Sequence, residues 1–220
     1  MLFFILLMFF QPVPAVAQDV VTADDGLACF NAAIEAEERY QIKKHLLVSI
    51  SKVETGRWNE QLQQKVAWPW TVNVAGKGYF YKNKKEAVAA VKEWQSKGYD
   101  SIDVGCMQVN LRFHGDKFAS LEDAFDPKHN LDVAARFLLG RYEHRRDWLL
   151  AAADYHSKHP NKAKVYRQKV LASLSETSMQ NYSADKPNKI KFDIKYAQNL
   201  LFNLGGFAKT MSEFKISLKD

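Results

Sequence analysis

Apolar residues recur at the spacing of a helix face along most of the chain. This period predicts helices over residues 26–40, 43–55, 84–97, 128–145, 148–156 and 162–174, with a shorter helix over residues 106–114. Gly56 and Gly98 follow two of these stretches, and Asp126-Pro127 precedes another, as expected for helix ends and starts. The pattern therefore indicates a mainly helical protein.

One stretch between the helices has a different character. Residues 68–74 and 79–81 are rich in aromatic and β-branched residues and flank a break at residues 75–78 that contains two glycines, which predicts a β-hairpin. Residues 101–105 are predicted to be extended. The fold class is mainly α (α+β), with a small β-hairpin that we expect to act as a flap over a cleft. Its aromatic side chains either stack on a ligand or pack internally.

The two ends of the chain differ from this central part. Residues 1–10 are apolar, and Ala15-Val16-Ala17 fits a cleavage signal, so we predict that residues 1–17 are a signal peptide. An uncleaved anchor is the alternative, but about 20 apolar residues are needed to span a bilayer. We therefore expect a periplasmic or exported protein without a membrane span after cleavage. The domain is predicted over residues 18–175 and a polar tail over residues 176–220, with a candidate short helix at residues 194–204.

Charge and cysteine content fit an exported protein. The net charge is +6, and the basic residues are scattered among acids, which favours an anionic polymer outside the cytoplasm over nucleic acid as a partner. The two cysteines, Cys29 and Cys106, predict one disulfide in an oxidising compartment, with two buried free thiols as the alternative.

Glu54 is the first candidate for chemistry. At about 100° per residue it falls on the apolar face of its helix, between Leu47 and Ile50. Apolar surroundings disfavour the charged form of a carboxyl, and a protonated carboxyl can serve as a general acid. The alternative is an ordinary helix-end glutamate that turns into solvent or pairs with Arg57.

Two later segments bring polar groups together. Gln108 and Asn110 lie in the sequence GCMQVN, and their amides can bond to hydroxyl and N-acetyl groups of a sugar. Tyr155-His156-Ser157 closes an alanine-rich helix. Taken alone, each segment is also compatible with an ordinary helix end. His156 and His159 are three residues apart, but the H-E-x-x-H pattern is missing, so we predict no metal site and no cofactor.

These segments together resemble the soluble lytic transglycosylase family. Glu54-Thr55 matches its E-S pair, Gly105-x-Met107-Gln108 its G-L-M-Q segment, and Tyr155 its Y-N-x-G segment, while Asp126-Pro127…Asn130 matches a D-P-x-x-N element. The match covers about residues 28–175. The resemblance implies a lysozyme-like fold and cleavage of the β-1,4 bond between N-acetylmuramic acid (MurNAc) and N-acetylglucosamine (GlcNAc) in peptidoglycan, with 1,6-anhydro ends.

The resemblance also implies residue roles. Glu54 would be the acid/base of catalysis. The substrate-binding residues would be Thr55, Met107, Gln108, Asn110, Tyr155 and His156. The chain departs from the family pattern in four places: Thr55 replaces Ser, Cys106 replaces Leu, His156 replaces the Asn that normally follows the tyrosine, and Ser157-Lys158 replaces the small-residue end of that segment. His156 would therefore have to supply the contact that this Asn normally makes.

Two other functions fit the same segments. A hydrolytic lysozyme would need a second carboxylate or a positioned water, and Asp100 and Asp103 are candidates for the carboxylate. A peptidoglycan-binding module without catalysis would not need Glu54 at all. The expected partner in every case is the glycan strand, and a secretion or conjugation apparatus of the cell envelope is a further candidate.

Overall fold

The computed structural model describes residues 23–185, which form eight α-helices and six short strands. The helices are α1 (Ala23–Tyr40), α2 (Leu46–Thr55), α3 (Lys84–Ser96), α4 (Leu111–His114), α5 (Leu121–Ala124), α6 (Pro127–Arg145), α7 (Trp148–His156) and α8 (Pro160–Asp185). The strands are β1 (Gly56–Asn59), β2 (Gln64–Ala67), β3 (Thr71–Val74), β4 (Lys77–Phe80), β5 (Ile102–Val104) and β6 (Val109–Asn110). The predicted mainly helical class is confirmed. The predicted signal peptide and the candidate helix at residues 194–204 lie outside the described residues.

The longer predicted helices all form, and α8 is longer than predicted. It runs from Pro160 to Asp185, whereas the apolar period predicted residues 162–174. The sequence contains no glycine or proline between residues 161 and 186, and Pro187 then disfavours helical backbone at the residue before it. The chain divides into two units, Met1–Ser178 and Met179–Asp220. The predicted boundary at residue 175 stays a prediction.

A buried carboxylate sets the start of α2. Glu37 of α1 accepts hydrogen bonds from the backbone N–H groups of His45 (2.6 Å), Leu47 (2.7 Å) and Val48 (3.2 Å). Burial raises the pKa of Glu37 to about 7, although these N–H groups lower it. Because Glu37 bonds these N–H groups, α2 begins at Leu46 instead of the predicted residue 43.

Helix α2 is buried on nearly every side, not only along its apolar stripe. Leu46, Leu47 and Ile50 are fully buried as predicted, but so are Ser49 and Ser51. Each serine hydroxyl donates to a carbonyl of the preceding turn, that of His45 (2.6 Å) for Ser49 and that of Val48 (2.9 Å) for Ser51. The hydroxyls are thereby satisfied without water, so polar residues can face the core.

The strands form two antiparallel sheets. Strands β1 and β2 make a hairpin that the sequence pattern did not predict. The predicted hairpin is formed by β3 and β4, with Thr71 opposite Phe80 and Val74 opposite Lys77. Strand β3 also pairs with β5 and is an inner strand of the order β4-β3-β5-β6, and the flap role expected of the hairpin stays a prediction.

The predicted short helix over residues 106–114 is partly wrong. Only its end is helical, as α4, while Val109 and Asn110 form β6 and pair with Val104 and Asp103 of β5. The chain reverses between the two strands with left-handed backbone at Gly105 (φ 78°). A side chain is disfavoured at such a φ, and glycine avoids this penalty.

Two apolar cores support these elements. The larger core joins α1, α2, α6 and α7 and includes Leu47, Leu131 and Leu138, and the smaller one joins β3, β5 and α3 around Phe125. Cys29 and Cys106 form the predicted disulfide inside the larger core. The bridge ties α1 to the turn between β5 and β6, which also forms one wall of the candidate site.

Candidate functional site

The last turn of α2 presents Glu54 at the edge of the larger core. Gly56 ends the helix with extended backbone (φ −66°, ψ 126°) and starts β1. A Cβ atom at position 56 would lie 2.2 Å from the carbonyl oxygen of Lys52, so glycine allows this tight exit. The Glu54 side chain is left with 13% of its surface exposed. It is a nearly buried carboxyl that still reaches solvent.

The hydrogen-bond partner of Glu54 is a tyrosine that the sequence analysis missed. The Tyr166 hydroxyl of α8 donates to Glu54 Oε1 at 2.6 Å. Burial, with Glu54 beside it, raises the pKa of Tyr166 well above its usual value, so the phenol stays a donor. The sequence signal that could have found it is its spacing from Val170 and Leu174, which follows one face of a helix. The structure shows that this face is buried.

His156 completes the contacts around this carboxyl. Its ring stacks on the Tyr166 ring with 4.2 Å between centroids and 3° between planes. Its Nδ1 lies 3.8 Å from Glu54 Oε1, and its side chain is 44% exposed. Arg57, the alternative partner, instead has its guanidinium over the rings of Trp68 and Phe80.

Asn130 of α6 holds the turn that carries the G-x-M-Q segment. Its Oδ1 accepts from the Met107 N–H (2.9 Å), and its Nδ2 donates to the carbonyls of Val104 (3.0 Å) and Ala124 (2.9 Å). The side chain is fully buried and packs so close to Gly105 that a Cβ there would lie 2.4 Å from Nδ2. Helix α6 and the turn between β5 and β6, which are far apart in sequence, are therefore joined into one wall of the site.

We expect Asn130→Asp to destabilise the protein by about 2–4 kcal/mol and to lower its activity. A carboxylate still accepts from the Met107 N–H but cannot donate to the Val104 and Ala124 carbonyls, so two buried acceptors would lose their donor and a charge would replace a neutral group in the core. The free energy of unfolding from denaturant titration measures the loss.

The matched control is Asn83→Asp. Asn83 is exposed and caps α3 by accepting from the Glu86 N–H, which an aspartate also does. A near-neutral Asn83→Asp beside a strongly destabilised Asn130→Asp is the expected pair of results. Equal stability of the two variants would contradict the role given to Asn130.

Three predicted substrate contacts turn out to support the wall from inside. Thr55 is buried, donating to the carbonyls of Ser51 and Cys106 and accepting from the Trp68 N–H. The Met107 side chain is fully buried in the core, and its carbonyl accepts from the Tyr155 hydroxyl at 2.8 Å. The Thr55 and Met107 side chains thus have a supporting role in the wall, and the substrate contact predicted for them and for Tyr155 stays a prediction.

Gln108 lies on the turn between β5 and β6, and Asn110 is the last residue of β6. Gln108 Nε2 donates to the carbonyls of Thr71 (3.2 Å) and Gly105 (3.1 Å). Asn110 Nδ2 donates to Asp103 Oδ1 at 2.7 Å. Asn110 Oδ1 accepts from the Arg112 N–H at 3.1 Å, so that amide is bonded on both sides, whereas Gln108 Oε1 has no hydrogen-bond partner among the described residues.

Asp103 differs clearly from Asp100, the other acid named with it. Burial raises the pKa of Asp103, the Asn110 bond lowers it, and the charge of nearby Glu54 raises it. Asp100 is exposed and pairs with Arg112 at 3.5 Å. Asp103 therefore belongs to the surroundings of Glu54, and Asp100 does not.

The aromatic residues of the β-region mostly pack internally. Trp68 is buried and its Nε1 donates to the Tyr81 carbonyl at 2.8 Å. Tyr79 lies against Trp94 of α3, and Phe80 remains 47% exposed. The packing interpretation therefore applies to most of them, and Phe80 is the exposed member.

A pocket of about 420 Å³ opens beside Glu54, between the end of α2 and α8. Its polar lining consists of Glu54, His156, Asn161, Lys162, Tyr166 and Lys169. Residues 23–185 contain no group of three His, Cys, Asp or Glu side chains that could hold a metal ion. Within the same residues, no helix has the length and apolar character needed to cross a bilayer.

The arrangement can transfer a proton to a bound ligand. The Glu54 side chain has little contact with solvent, accepts a hydrogen bond from Tyr166 and borders the pocket. The positioned carboxyl, at hydrogen-bond reach of a ligand in the pocket, meets the geometric need of a general acid.

Comparison with known proteins identifies the family. The family model of the Transglycosylase SLT domain matches residues 31–170, which is more than half of the 220-residue chain and includes every candidate site residue except Cys29. No curated protein and no solved structure matches the chain. The family consists of peptidoglycan lytic transglycosylases with a lysozyme-like fold, which act outside the cytoplasm. On this match, the chain belongs to the SLT transglycosylase family, whose substrate is peptidoglycan.

Proposed function

We propose that this protein is a lytic transglycosylase that cleaves the MurNAc–GlcNAc β-1,4 bond of peptidoglycan and leaves 1,6-anhydromuramic acid ends. The observation that carries the proposal is Glu54, held by Tyr166 at 2.6 Å beside an open pocket. Breaking a glycosidic bond requires a proton on the leaving oxygen. Membership of a family that acts on peptidoglycan supplies the substrate.

In the first step, protonated Glu54 gives its proton to the glycosidic oxygen. The bond from the muramyl C1 to that oxygen breaks, GlcNAc leaves with a free 4-hydroxyl, and positive charge develops at C1. Among the described residues, Tyr166 is the hydrogen-bond partner of Glu54 and uses Oε1. Oε2 is therefore the oxygen that we assign to the substrate.

In the second step, the Glu54 carboxylate takes the proton of the muramyl C6 hydroxyl. The C6 oxygen forms a bond to C1, which closes the 1,6-anhydro ring and returns Glu54 to its protonated form. Because the substrate supplies the attacking oxygen, a single carboxylate is sufficient, in contrast to hydrolysis by a carboxylate pair.

The surrounding residues have distinct proposed roles. Tyr166 orients Glu54, and Tyr155 orients the wall through the Met107 carbonyl. His156 is half-exposed beside Glu54 and supplies the contact that the family's Asn normally makes. Gln108 and Asn110 bind sugar hydroxyl or N-acetyl groups.

Asp103 favours a second candidate, a hydrolytic lysozyme on the same fold. It is half-buried, and its pKa is raised first by burial and also by the charge of Glu54. A second carboxylate near the general acid could stabilise the positive charge that develops at C1. It could also form a covalent bond to C1, which water would then hydrolyse. The Asn110 amide, which donates to Asp103 at 2.7 Å, already occupies one oxygen of this carboxylate.

Mass spectrometry of digested peptidoglycan tests the proposal. The purified protein is expected to release muropeptides with anhydro ends, which are lighter than hydrolysed ends by one water. Hydrolysed ends alone would favour the Asp103 alternative. Intact glycan strands after prolonged incubation would instead favour a peptidoglycan-binding module without catalysis.

The proposed location is the periplasm or another compartment outside the cytoplasm. The disulfide between Cys29 and Cys106 supports an oxidising compartment. A signal peptide at residues 1–17 and a secretion or conjugation apparatus as partner stay predictions.

A further inference from the structure

One segment near the end of the described residues carries several basic residues and no acidic ones. Residues 157–175 contain five of the 31 Lys and Arg residues and no Asp or Glu, which leaves the rest of the chain with 26 basic against 25 acidic residues. The expectation that basic residues are scattered among acids is therefore wrong for this segment. Most of it belongs to α8, the helix that carries Tyr166.

Two of these basic residues line the pocket beside Glu54. Lys162 and Lys169 are seven positions apart, so they lie two turns apart on the same face of α8. Tyr166 and Val165 lie between them and line the same pocket. The positive charges are thus placed next to the carboxyl proposed to act on the glycan.

Neither lysine has an acidic partner among residues 23–185. Some other exposed basic residues of the domain do, such as Lys92 with Glu122, Lys97 with Glu93, and Arg145 with Asp154. Lys162 and Lys169 are both exposed and make no such pair in the described part of the chain. The pocket therefore has two positive charges available for an anionic ligand.

We propose that Lys162 and Lys169 bind carboxylates of the peptide stem of peptidoglycan, so that this site recognises glycan strands that carry stems. The inference rests on the proposed function. The sugar rings of the strand carry no charge at neutral pH, whereas the stem carries carboxylates. A lysine ammonium is a point charge on a flexible side chain and suits such a ligand.

The covalent structure of the substrate makes the placement reasonable. The stem branches from the muramyl residue, which is the ring whose C1 reacts next to Glu54. A pocket that begins at Glu54 and extends along α8 can therefore receive the first residues of the stem. Val165 is 52% exposed between the two lysines and offers an apolar contact for alanine methyl groups.

The double variant Lys162→Gln/Lys169→Gln tests this inference on two substrates. One is glycan with its stems, and the other is the same glycan after an amidase has removed the stems and the freed lactyl carboxylates have been converted to amides, so that it carries no charge. We expect kcat/KM of the variant on stem-bearing strands to fall by about five- to tenfold, the factor for losing two exposed ion pairs. Its kcat/KM on stem-free strands should equal that of the wild type. Added salt should reduce the wild-type preference for stems.

A matched control removes the same charge elsewhere. Lys85 and Lys164 are exposed and do not line the pocket, and Lys164 is two positions from Lys162, which directs it away from that face. Lys85→Gln/Lys164→Gln should behave as the wild type on both substrates. The melting temperatures of all three proteins should agree, which excludes loss of folding as the cause.

The outcomes separate this inference from the proposed function. If the pocket variant matches the control on both substrates, or loses activity equally on both, stem recognition by these lysines is overturned while the transglycosylase function stands. If the wild type cleaves neither substrate, the proposed function fails and the inference with it. A wild type without preference for stem-bearing strands also overturns the inference.

Discussion

Glu54→Gln is expected to lower the rate of glycan cleavage by at least about a thousandfold. The glutamine amide is too weak an acid to protonate the glycosidic oxygen. It is also too weak a base to take the proton of the C6 hydroxyl, so both proposed steps are lost. General acid–base groups typically contribute factors of about 10²–10⁴, and Glu54 serves in both roles. Release of anhydro muropeptides over time measures the effect.

The fold should tolerate this substitution. The amide oxygen of a glutamine can take the place of Glu54 Oε1 and accept the Tyr166 hydrogen bond. Glu60→Gln is the matched control, because Glu60 is exposed in the turn between β1 and β2 and lies outside the pocket. If Glu54→Gln keeps a rate within tenfold of the Glu60→Gln rate, Glu54 is not the acid/base.

Removal of the disulfide in Cys29→Ala/Cys106→Ala is expected to lower the free energy of unfolding by about 4 kcal/mol. The bridge joins residues 77 positions apart, and a cross-link over such a loop restricts the unfolded chain by about this amount. Denaturant titration of both proteins gives the difference directly.

Removal of the disulfide should also disturb the candidate site. The Cys106 carbonyl accepts from Thr55, and the next residue, Met107, accepts from Tyr155, so the bridge anchors the wall that carries Gln108. Reductant should reduce the stability of the wild type and leave that of the double variant unchanged. A stability difference below about 1 kcal/mol would contradict the role given to the bridge.

Much of the helical architecture could be predicted because it follows local rules. The apolar period and the stop at Gly56 located α2, and Asp126-Pro127 located the start of α6, where Asp126 accepts from the N–H groups of Lys128 and His129. These signals act within a few residues, so a single sequence contains them in full.

The short strands could not be predicted in the same way. Strands β1, β2 and β6 have four residues or fewer and lack the aromatic and β-branched run that marks β3 and β4, whereas β5 lies within residues 101–105, which the sequence predicts to be extended. Their positions depend on pairing partners elsewhere in the chain, as Asp103 pairs with Asn110 across the turn. Residues 106–114 were therefore assigned to a helix.

The sequence by itself determined the helices, the position of Glu54 on an apolar face and the residues that place the chain in its family. Only the tertiary structure decided what surrounds Glu54: Tyr166 as its partner, Asp103 nearby, and Lys162 and Lys169 along the same pocket. The physical reason is distance along the chain. Glu54 and Tyr166 are 112 residues apart, and a contact of that kind depends on how whole helices pack, which no local pattern encodes.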